Sequence, residues 1–158
     1  MGRIERSIEI KAPPEKVWEM LALDRLQEWN EEYGKVEYTS EVRSPEDKYR
    51  VGASSHTDIK GAGAIDFEIT ESLENEKMTF RMLGKRANNT VVTYVLESVD
   101  EGTKLDYVMT FKLPWGIFGT LLDKLGKGML EKEAEKSLEK LKSILEKYMF
   151  HTQITTDH

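Results

Sequence analysis

The chain has 158 residues, enough for one domain with a hydrophobic core. Hydrophobic residues make up 39% of it and charged residues 33%, a balance typical of globular proteins and not of disordered or membrane-spanning chains. Its 29 acidic and 23 basic residues leave a net charge of -6 without a basic cluster, so we expect no nucleic-acid partner.

The chain contains no cysteine, which excludes disulfides, thiol nucleophiles and cysteine-ligated metals and suits a reducing compartment. Its first ten residues alternate charged and apolar types, unlike the basic-then-apolar order of a signal peptide. The longest weakly charged run, 113–122, is too short to span a bilayer. We therefore expect a cytoplasmic protein without stable membrane insertion.

The first predicted element is a strand over Arg3–Lys11, because Ile4, Ile8 and Ile10 alternate with polar residues. Arg6 falls on the apolar side of this strand, where a charge needs a partner or a wet cavity unless the strand frays to solvent. We favour fraying, and Arg6 is also a candidate polar anchor for a ligand.

Two short helices are predicted next. Pro14 suits the first turn of a helix whose apolar stripe includes Val17 and Trp18. Asp24, with Gln27 three residues later, resembles an N-cap and predicts the start of a second helix.

Six stretches with the two-residue period of strands follow, joined by short polar turns such as Gly61–Gly63. Short turns join antiparallel neighbours, so with the first strand they predict a seven-stranded meander. The six stretches are Val36–Val42, Tyr49–Thr57, Ile65–Ile69, Met78–Met82, Val92–Leu96 and Leu105–Phe111.

Apolar residues at helical spacing predict one long helix over Pro114–Phe150, followed by a disordered polar tail, His151–His158. In its second half, Glu and Lys residues such as Glu133 and Lys136 indicate a solvated face. Its first half contains four glycines, which fits either close contact between elements or a movable wall of a ligand cavity. We expect a single α+β domain over residues 1–150, in which a curved sheet wraps around this helix.

This order of elements resembles the helix-grip fold of the START and Bet v 1-like (SRPBCC) superfamily. Particular motifs are similar to its polyketide cyclase/dehydrase-like branch. They are the opening Ile-Glu-Ile-Lys-Ala-Pro-Pro-Glu-Lys-Val-Trp (Ile8–Trp18), then Leu21, Asp24 and Trp29, then Gly52 after Tyr49 and Val51, and the ending Ser137–Lys142. The resemblance implies a large cavity between sheet and helix that holds lipids, sterols, plant hormones or polyketides, but it implies no single reaction.

Catalytic and metal-binding patterns are weak. The three histidines, His56, His151 and His158, include no pair at ligand spacing, so we expect no metal and no cofactor. Ser55 and His56 are adjacent on a strand and point to opposite faces, which does not support a catalytic triad. Asp66 and Glu68 share a strand face that is predicted to be solvated.

The predicted inner face of the sheet is rich in aromatic residues and methionine, which fits an ordinary core or an adaptable apolar cavity. We favour the cavity, in which tyrosine hydroxyls would orient a ligand oxygen. Its candidate residues are Tyr38, Phe67, Phe80, Met82, Tyr94, Tyr107, Met109, Phe111, Phe118, Leu122, Leu125 and Met129.

The leading functional hypothesis is therefore a binder or carrier of a small hydrophobic molecule, lipid-like or polyketide-like. One alternative is a polyketide cyclase or aromatase, which a buried ionisable pair in the cavity would favour. Another is a protein-interaction module resembling the Hsp90 co-activator branch, which an exposed apolar patch around Trp115 and Phe118 would favour. The pattern indicates no particular oligomeric state.

Overall fold

The computed structural model describes residues 2–60, 63–85, 87, 89–112 and 116–156. Side chains are described for all of these residues except 116–127 and 152–156. Seven strands form one antiparallel sheet in the spatial order β1-β7-β6-β5-β4-β3-β2. The strands are β1 (Gly2–Ile10), β2 (Glu37–Tyr38), β3 (Ser54–Ile59), β4 (Gly63–Leu73), β5 (Lys77–Leu83), β6 (Val91–Val99) and β7 (Gly102–Phe111).

The helices lie where the helix-grip expectation places them. The short helix α1 spans Pro14–Glu19 and is followed by a 3-10 helix, Leu23–Glu28; the long helix α2 spans Gly116–Thr156. Pro14 occupies the first turn of α1, as predicted. The α+β helix-grip fold is thereby confirmed: a curved sheet, two short helices after the first strand and one long C-terminal helix.

The core lies between the inner face of the sheet and the helices. Strand burial alternates as the two-residue period predicts; in β3, for example, Ser55 and Thr57 are buried while His56 and Asp58 are exposed. The apolar stripe of α2 is also confirmed over its second half. Its buried members are Ala134, Leu138, Leu141 and Leu145.

The second and third predicted strands are shorter than their apolar alternation indicated. A 3-10 helix, Pro45–Lys48, precedes Tyr49, and the Tyr49 ring stacks on Trp18 with centroids 5.5 Å apart. Gly52 then has a φ of 94°, a left-handed conformation that ends any extended run. Strand β3 therefore starts at Ser54 instead of Tyr49.

The prediction that Asp24 caps a helix was wrong. The 3-10 helix starts at Leu23 with Ala22 at its N-cap position, and the Asp24 carboxylate instead accepts hydrogen bonds from the Tyr38 hydroxyl (3.2 Å) and the Lys48 ammonium (2.9 Å). Gln27 is not part of a capping box either, because its side-chain oxygen accepts a bond from the backbone N–H of Val36 at 2.6 Å.

The expected fraying at Arg6 was also wrong, because Arg6 lies in the middle of β1 and has partners on α2. Its guanidinium donates to Glu131 and to Glu135, each at 2.9 Å. The two acidic partners raise the pKa of Arg6, chiefly through the hydrogen bond to Glu135. The charge is thereby accommodated at the edge where β1 meets α2.

Two expectations about the C-terminal segment fall partly outside the described residues. Pro114, the predicted helix start, is outside them, and α2 is described from Gly116. The predicted tail begins at His151, and α2 continues through Thr156. No helix within the described ranges is long and apolar enough to cross a membrane.

Candidate ligand-binding site

A partly open cavity of about 40 Å³ lies where β7 and the loop after the 3-10 helix Leu23–Glu28 meet α2. A single water needs about 10–15 Å³ measured in this way, so the cavity has room for about three waters. Its walls combine aromatic and aliphatic side chains with two carboxyl groups. They are Trp29, Asn30, Glu32, Tyr33, Tyr107, Met109, Leu130, Glu133, Ala134, Ser137 and Leu138.

A continuous row of aromatic rings crosses the inner face of the sheet and leads to this cavity. Successive ring centroids are 5.4 Å apart for Tyr33 and Phe67, 5.2 Å for Phe67 and Phe80, 6.0 Å for Phe80 and Tyr94, and 5.6 Å for Tyr94 and Tyr107. These distances are typical of tilted aromatic contacts. The row forms a stiff apolar wall against which a ligand ring could pack.

The phenol groups on this face are largely unpaired. The structure shows no hydrogen bond from the hydroxyls of Tyr33, Tyr94 or Tyr107 to another described residue. Burial raises the pKa of all three, so these phenols stay neutral at physiological pH. Neutral phenols can both donate to and accept from a ligand oxygen.

Two carboxyl groups meet at the edge of the cavity. Glu32, on the loop before β2, and Glu133, on α2, are close enough to share a hydrogen bond. Burial raises the pKa of Glu32 to about 7, and the hydrogen bond with Glu133 and its negative charge add to this shift, whereas Lys136 and Lys60 oppose it. Glu32 therefore keeps its proton as the pH rises to near neutral, and in this protonated form it can donate a hydrogen bond to the Glu133 carboxylate.

The Glu32 loop is joined to α2 and to β3. Glu31 forms ion pairs with Lys136 (2.9 Å) and Lys140 (3.7 Å) of the helix, and the carbonyl of Glu32 accepts a bond from the N–H of Lys60 at 2.9 Å. The two carboxyl groups are thus held together by elements far apart in sequence.

The twelve predicted cavity residues fall into four groups. Tyr107 and Met109 line the cavity, and Phe67, Phe80, Met82, Tyr94 and Phe111 are buried in the core cluster that includes the aromatic row. Tyr38 lies elsewhere, hydrogen-bonded to Asp24, and the side chain of Met129 is 67% exposed. The side chains of Phe118, Leu122 and Leu125 are outside the described residues, as is the predicted apolar patch around Trp115.

Arg6, the candidate polar anchor, is engaged by Glu131 and Glu135 and is not among the residues that line the cavity. Sequence reasoning also missed Glu32, Tyr33 and Glu133. Glu133 was placed on the solvated face of the helix because its neighbours are Glu and Lys, and nothing in the local sequence of Glu32 indicates that the two carboxyls meet.

Two other predictions concern polar side chains. Asp66 and Glu68 lie on the outer face: Asp66 contacts His56 (2.7 Å) and Glu68 pairs with Arg81 (3.1 Å). Within the described ranges, no group of three or more acidic or histidine side chains is arranged to hold a metal ion.

The fold matches known structures closely. The crystal structure of MLL2253 from Mesorhizobium loti has a TM-score of 0.68 at 19% identity, covering 92% of this chain and 98% of the other. The solution structure of the Aha1 dimer from Colwellia psychrerythraea has a TM-score of 0.66 at 21% identity, covering 92% and 97%. DynU16, a putative protein in the dynemicin biosynthetic locus, has a TM-score of 0.63 at 19% identity, covering 91% of this chain and 47% of its own.

No curated protein matches the sequence. The sequence does match a protein family described as polyketide cyclase / dehydrase and lipid transport, over residues 1–146. This match spans the seven strands and the three short helices that the structure describes, and α2 as far as Glu146. The chain therefore belongs to the polyketide cyclase/dehydrase and lipid transport family, as the resemblance in its opening and closing motifs implied.

Proposed function

We propose that this protein binds a small hydrophobic ligand, lipid-like or polyketide-like, between the inner face of its sheet and α2. The observation that carries the proposal is the cavity beside Tyr107 and Met109, where the two ends of the aromatic row, Tyr33 and Tyr107, form part of the lining. Binding sites for small molecules are concave and mostly apolar, with a few polar groups that orient the ligand. Here the unpaired phenols and the Glu32–Glu133 pair provide those polar groups.

The cavity must enlarge to accept such a ligand. Pockets for small organic ligands measure about 300–1,000 Å³, whereas this one measures about 40 Å³. Several contacts between α2 and the rest of the domain are partly exposed ion pairs, such as those of Arg6 and Glu31, which contribute little stability individually. We propose that α2 moves away from the sheet when the ligand enters, starting from its glycine-containing first half.

The expected affinity is moderate. Burying about 300 Å² of apolar ligand surface contributes about 7 kcal/mol before the entropic costs of association. This corresponds to a dissociation constant in the micromolar range at best.

Family membership and one structural neighbour support this proposal. The family description names both polyketide chemistry and lipid transport, and DynU16 is described as belonging to a biosynthetic locus. The net charge of -6 and the absence of cysteine fit a carrier that acts in the cytoplasm without a nucleic-acid partner.

The proposal is tested by filling the cavity. Ala134 is buried against it, so Ala134→Phe should occupy the space, whereas Lys132→Phe adds the same ring on an exposed part of α2. The fluorescent apolar probe N-phenyl-naphthylamine should bind the native protein and the Lys132→Phe control with similar affinity. We expect Ala134→Phe to bind it at least about tenfold more weakly.

Absence of binding to the native protein would refute the proposal. Equal binding by Ala134→Phe would show that the probe uses another surface. Native mass spectrometry of the purified protein, followed by extraction, would identify any ligand that remains bound during purification.

The carboxyl pair favours a second candidate function, an enzyme of the cyclase or aromatase type. A carboxyl group with a pKa of about 7 is suited to remove and return a proton at neutral pH. Ring closure of a polyketide requires removal of a proton from a carbon next to a carbonyl, and the cavity would hold the chain in a folded shape.

This candidate is tested with 2-tetralone, an aromatic ketone with exchangeable protons next to its carbonyl. If Glu32 acts as the base, the native protein should accelerate hydrogen–deuterium exchange at those carbons, measured by NMR, and Glu32→Gln should reduce the rate to that of buffer. If the native protein does not raise the exchange rate above that of buffer, the enzyme hypothesis is contradicted and ligand binding is the better-supported function.

A further inference from the structure

Two buried hydroxyl groups on the inner face of β3 have no hydrogen-bond partner among the described residues. They are Oγ of Ser55 and Oγ1 of Thr57, and their residues are 0% and 1% exposed. They stand two positions apart on one strand and therefore lie on the same face. A buried unpaired hydroxyl loses its bonds to water without replacement, so each one destabilises the fold.

Stability alone would favour other residues at both positions. Alanine and valine would keep nearly the same shape as serine and threonine without burying a polar atom. The outer face of the sheet offers a contrast, because the Thr79 hydroxyl there is paired with the Thr93 hydroxyl at 3.1 Å. A pair of buried hydroxyls without partners calls for a partner that is not part of the protein.

The two hydroxyls are linked to the cavity through Tyr33 and its neighbour Gly34. Ser55 pairs in register with Phe67, whose ring contacts the Tyr33 ring. Thr57 Oγ1 lies 3.8 Å from the point where a Cβ on Gly34, the residue after Tyr33, would stand. Tyr33 itself lines the cavity. Neither hydroxyl lines the cavity as it stands, so a ligand reaches β3 when the cavity opens further past Tyr33.

The neighbours of the two hydroxyls restrict the chemistry of this partner. On β4, Ser55 and Thr57 face Phe67 and Ile65, both buried and apolar. A charged group would lose its hydration there without a countercharge, whereas a carbonyl or hydroxyl oxygen would lose little. A hydroxyl side chain can donate to a carbonyl and can donate to or accept from an alcohol or phenol.

We propose that Ser55 and Thr57 bind a neutral oxygen atom of the ligand, so that the protein selects an oxygenated hydrophobic molecule, such as a phenol or ketone, over a pure hydrocarbon. This inference rests on the proposed function that the cavity holds a hydrophobic ligand. Selection follows because the analogue without the oxygen leaves both hydroxyls unpaired in the complex.

The test compares 2-naphthol with naphthalene, which differ by one hydroxyl group, by equilibrium dialysis. On apolar burial alone, naphthalene should bind more tightly, since 2-naphthol must give up hydration of its hydroxyl. We expect the native protein to prefer 2-naphthol by about fivefold, the value of one net hydrogen bond. The variant Ser55→Ala/Thr57→Val should lose this preference and melt at a higher temperature than the native protein.

Two further variants separate binding from changes in folding. Thr57→Ser retains a hydroxyl and should retain the preference for 2-naphthol. Thr79→Val makes the same chemical change on the other face, where the hydroxyl is paired, and should keep the preference without a gain in melting temperature. The single variants Ser55→Ala and Thr57→Val allow the comparison even if the double variant does not fold.

The outcomes are distinct. This inference would be overturned if the variants without the hydroxyls kept the preference for 2-naphthol, or if the native protein showed no such preference. In either case, binding of naphthalene to the native protein would still support the proposed function. Binding of neither probe to the native protein would overturn both.

Discussion

Replacing Glu32 with glutamine should make the protein more stable at pH 8 and leave its stability at pH 5 nearly unchanged. Burial first, and Glu133 second, raise the pKa of Glu32 from its ordinary 4.5 to about 7 in the folded protein. Between these two values the folded protein retains a proton that the unfolded chain has released. Its stability therefore falls as the pH rises through this range.

The size of the effect follows from the shift. A displacement of the pKa from 4.5 to about 7 corresponds to at most about 3 kcal/mol of free energy of unfolding, at about 1.4 kcal/mol for each pKa unit. Glu32 is partly exposed, so solvent screening reduces this value, and we expect about 1 kcal/mol. Glutamine has no charge to bury and can donate an N–H to Glu133, so the variant should not show this loss.

Urea unfolding at pH 5 and pH 8 measures the effect. The matched control is Glu139→Gln, an exposed residue on α2, which should change stability equally at both pH values. The reasoning is refuted if Glu32→Gln gives no gain at pH 8, or if it gives the same change at pH 5 as at pH 8.

Three further predictions concern other parts of the sheet. The buried Thr103 hydroxyl donates to the carbonyl of Ala12 at 2.7 Å, so Thr103→Val should lower the free energy of unfolding by about 1–2 kcal/mol in urea titrations. A Cβ on Gly102 would overlap the last backbone carbonyl of β1, so Gly102→Ala should cost about 2–3 kcal/mol or more, visible as a lower melting temperature. The hydrogen bond with Asp66 raises the pKa of His56, so this pair stabilises the fold below pH 6.5 and the contribution is lost as the pH rises through the raised pKa. An NMR titration should show the pKa of His56 falling in Asp66→Asn, and an unchanged value would contradict the assigned contact.

Local periodicity was sufficient to predict most of the sheet. The alternating stretches within β4 to β7 are separated by short polar turns, so their pairing followed from the sequence alone, although a register shift between Ile69 and Glu71 interrupts β4. The alternation at Tyr49 and Val51 misled because apolar residues also occur in irregular segments, where Tyr49 stacks on Trp18 and Val51 is exposed. One residue with a positive φ, Gly52, is enough to interrupt an apparent strand.

The polar groups of the candidate site could not be predicted from local periodicity. The Glu32–Glu133 pair joins residues about a hundred positions apart, and which carboxyl groups meet depends on how α2 lies against the loop. Ser55 and Thr57 alternate with exposed residues, as in any half-buried strand, so the pattern placed them inside. Only the structure shows that their hydroxyls have no partner among the described residues.

The pairing of β1 with β7 has a consequence for how the protein folds. Among the described strands, the first one pairs with the last one alone, across about a hundred residues, and α2 also contacts it through the bond from Lys142 Nζ to the carbonyl of Glu9 (3.0 Å). Contacts so distant in sequence form late, because a long loop must close before they form. During synthesis β1 therefore waits unpaired until β7 has been made, and the chain passes through a stage in which β7 exposes an open edge that can pair with other chains.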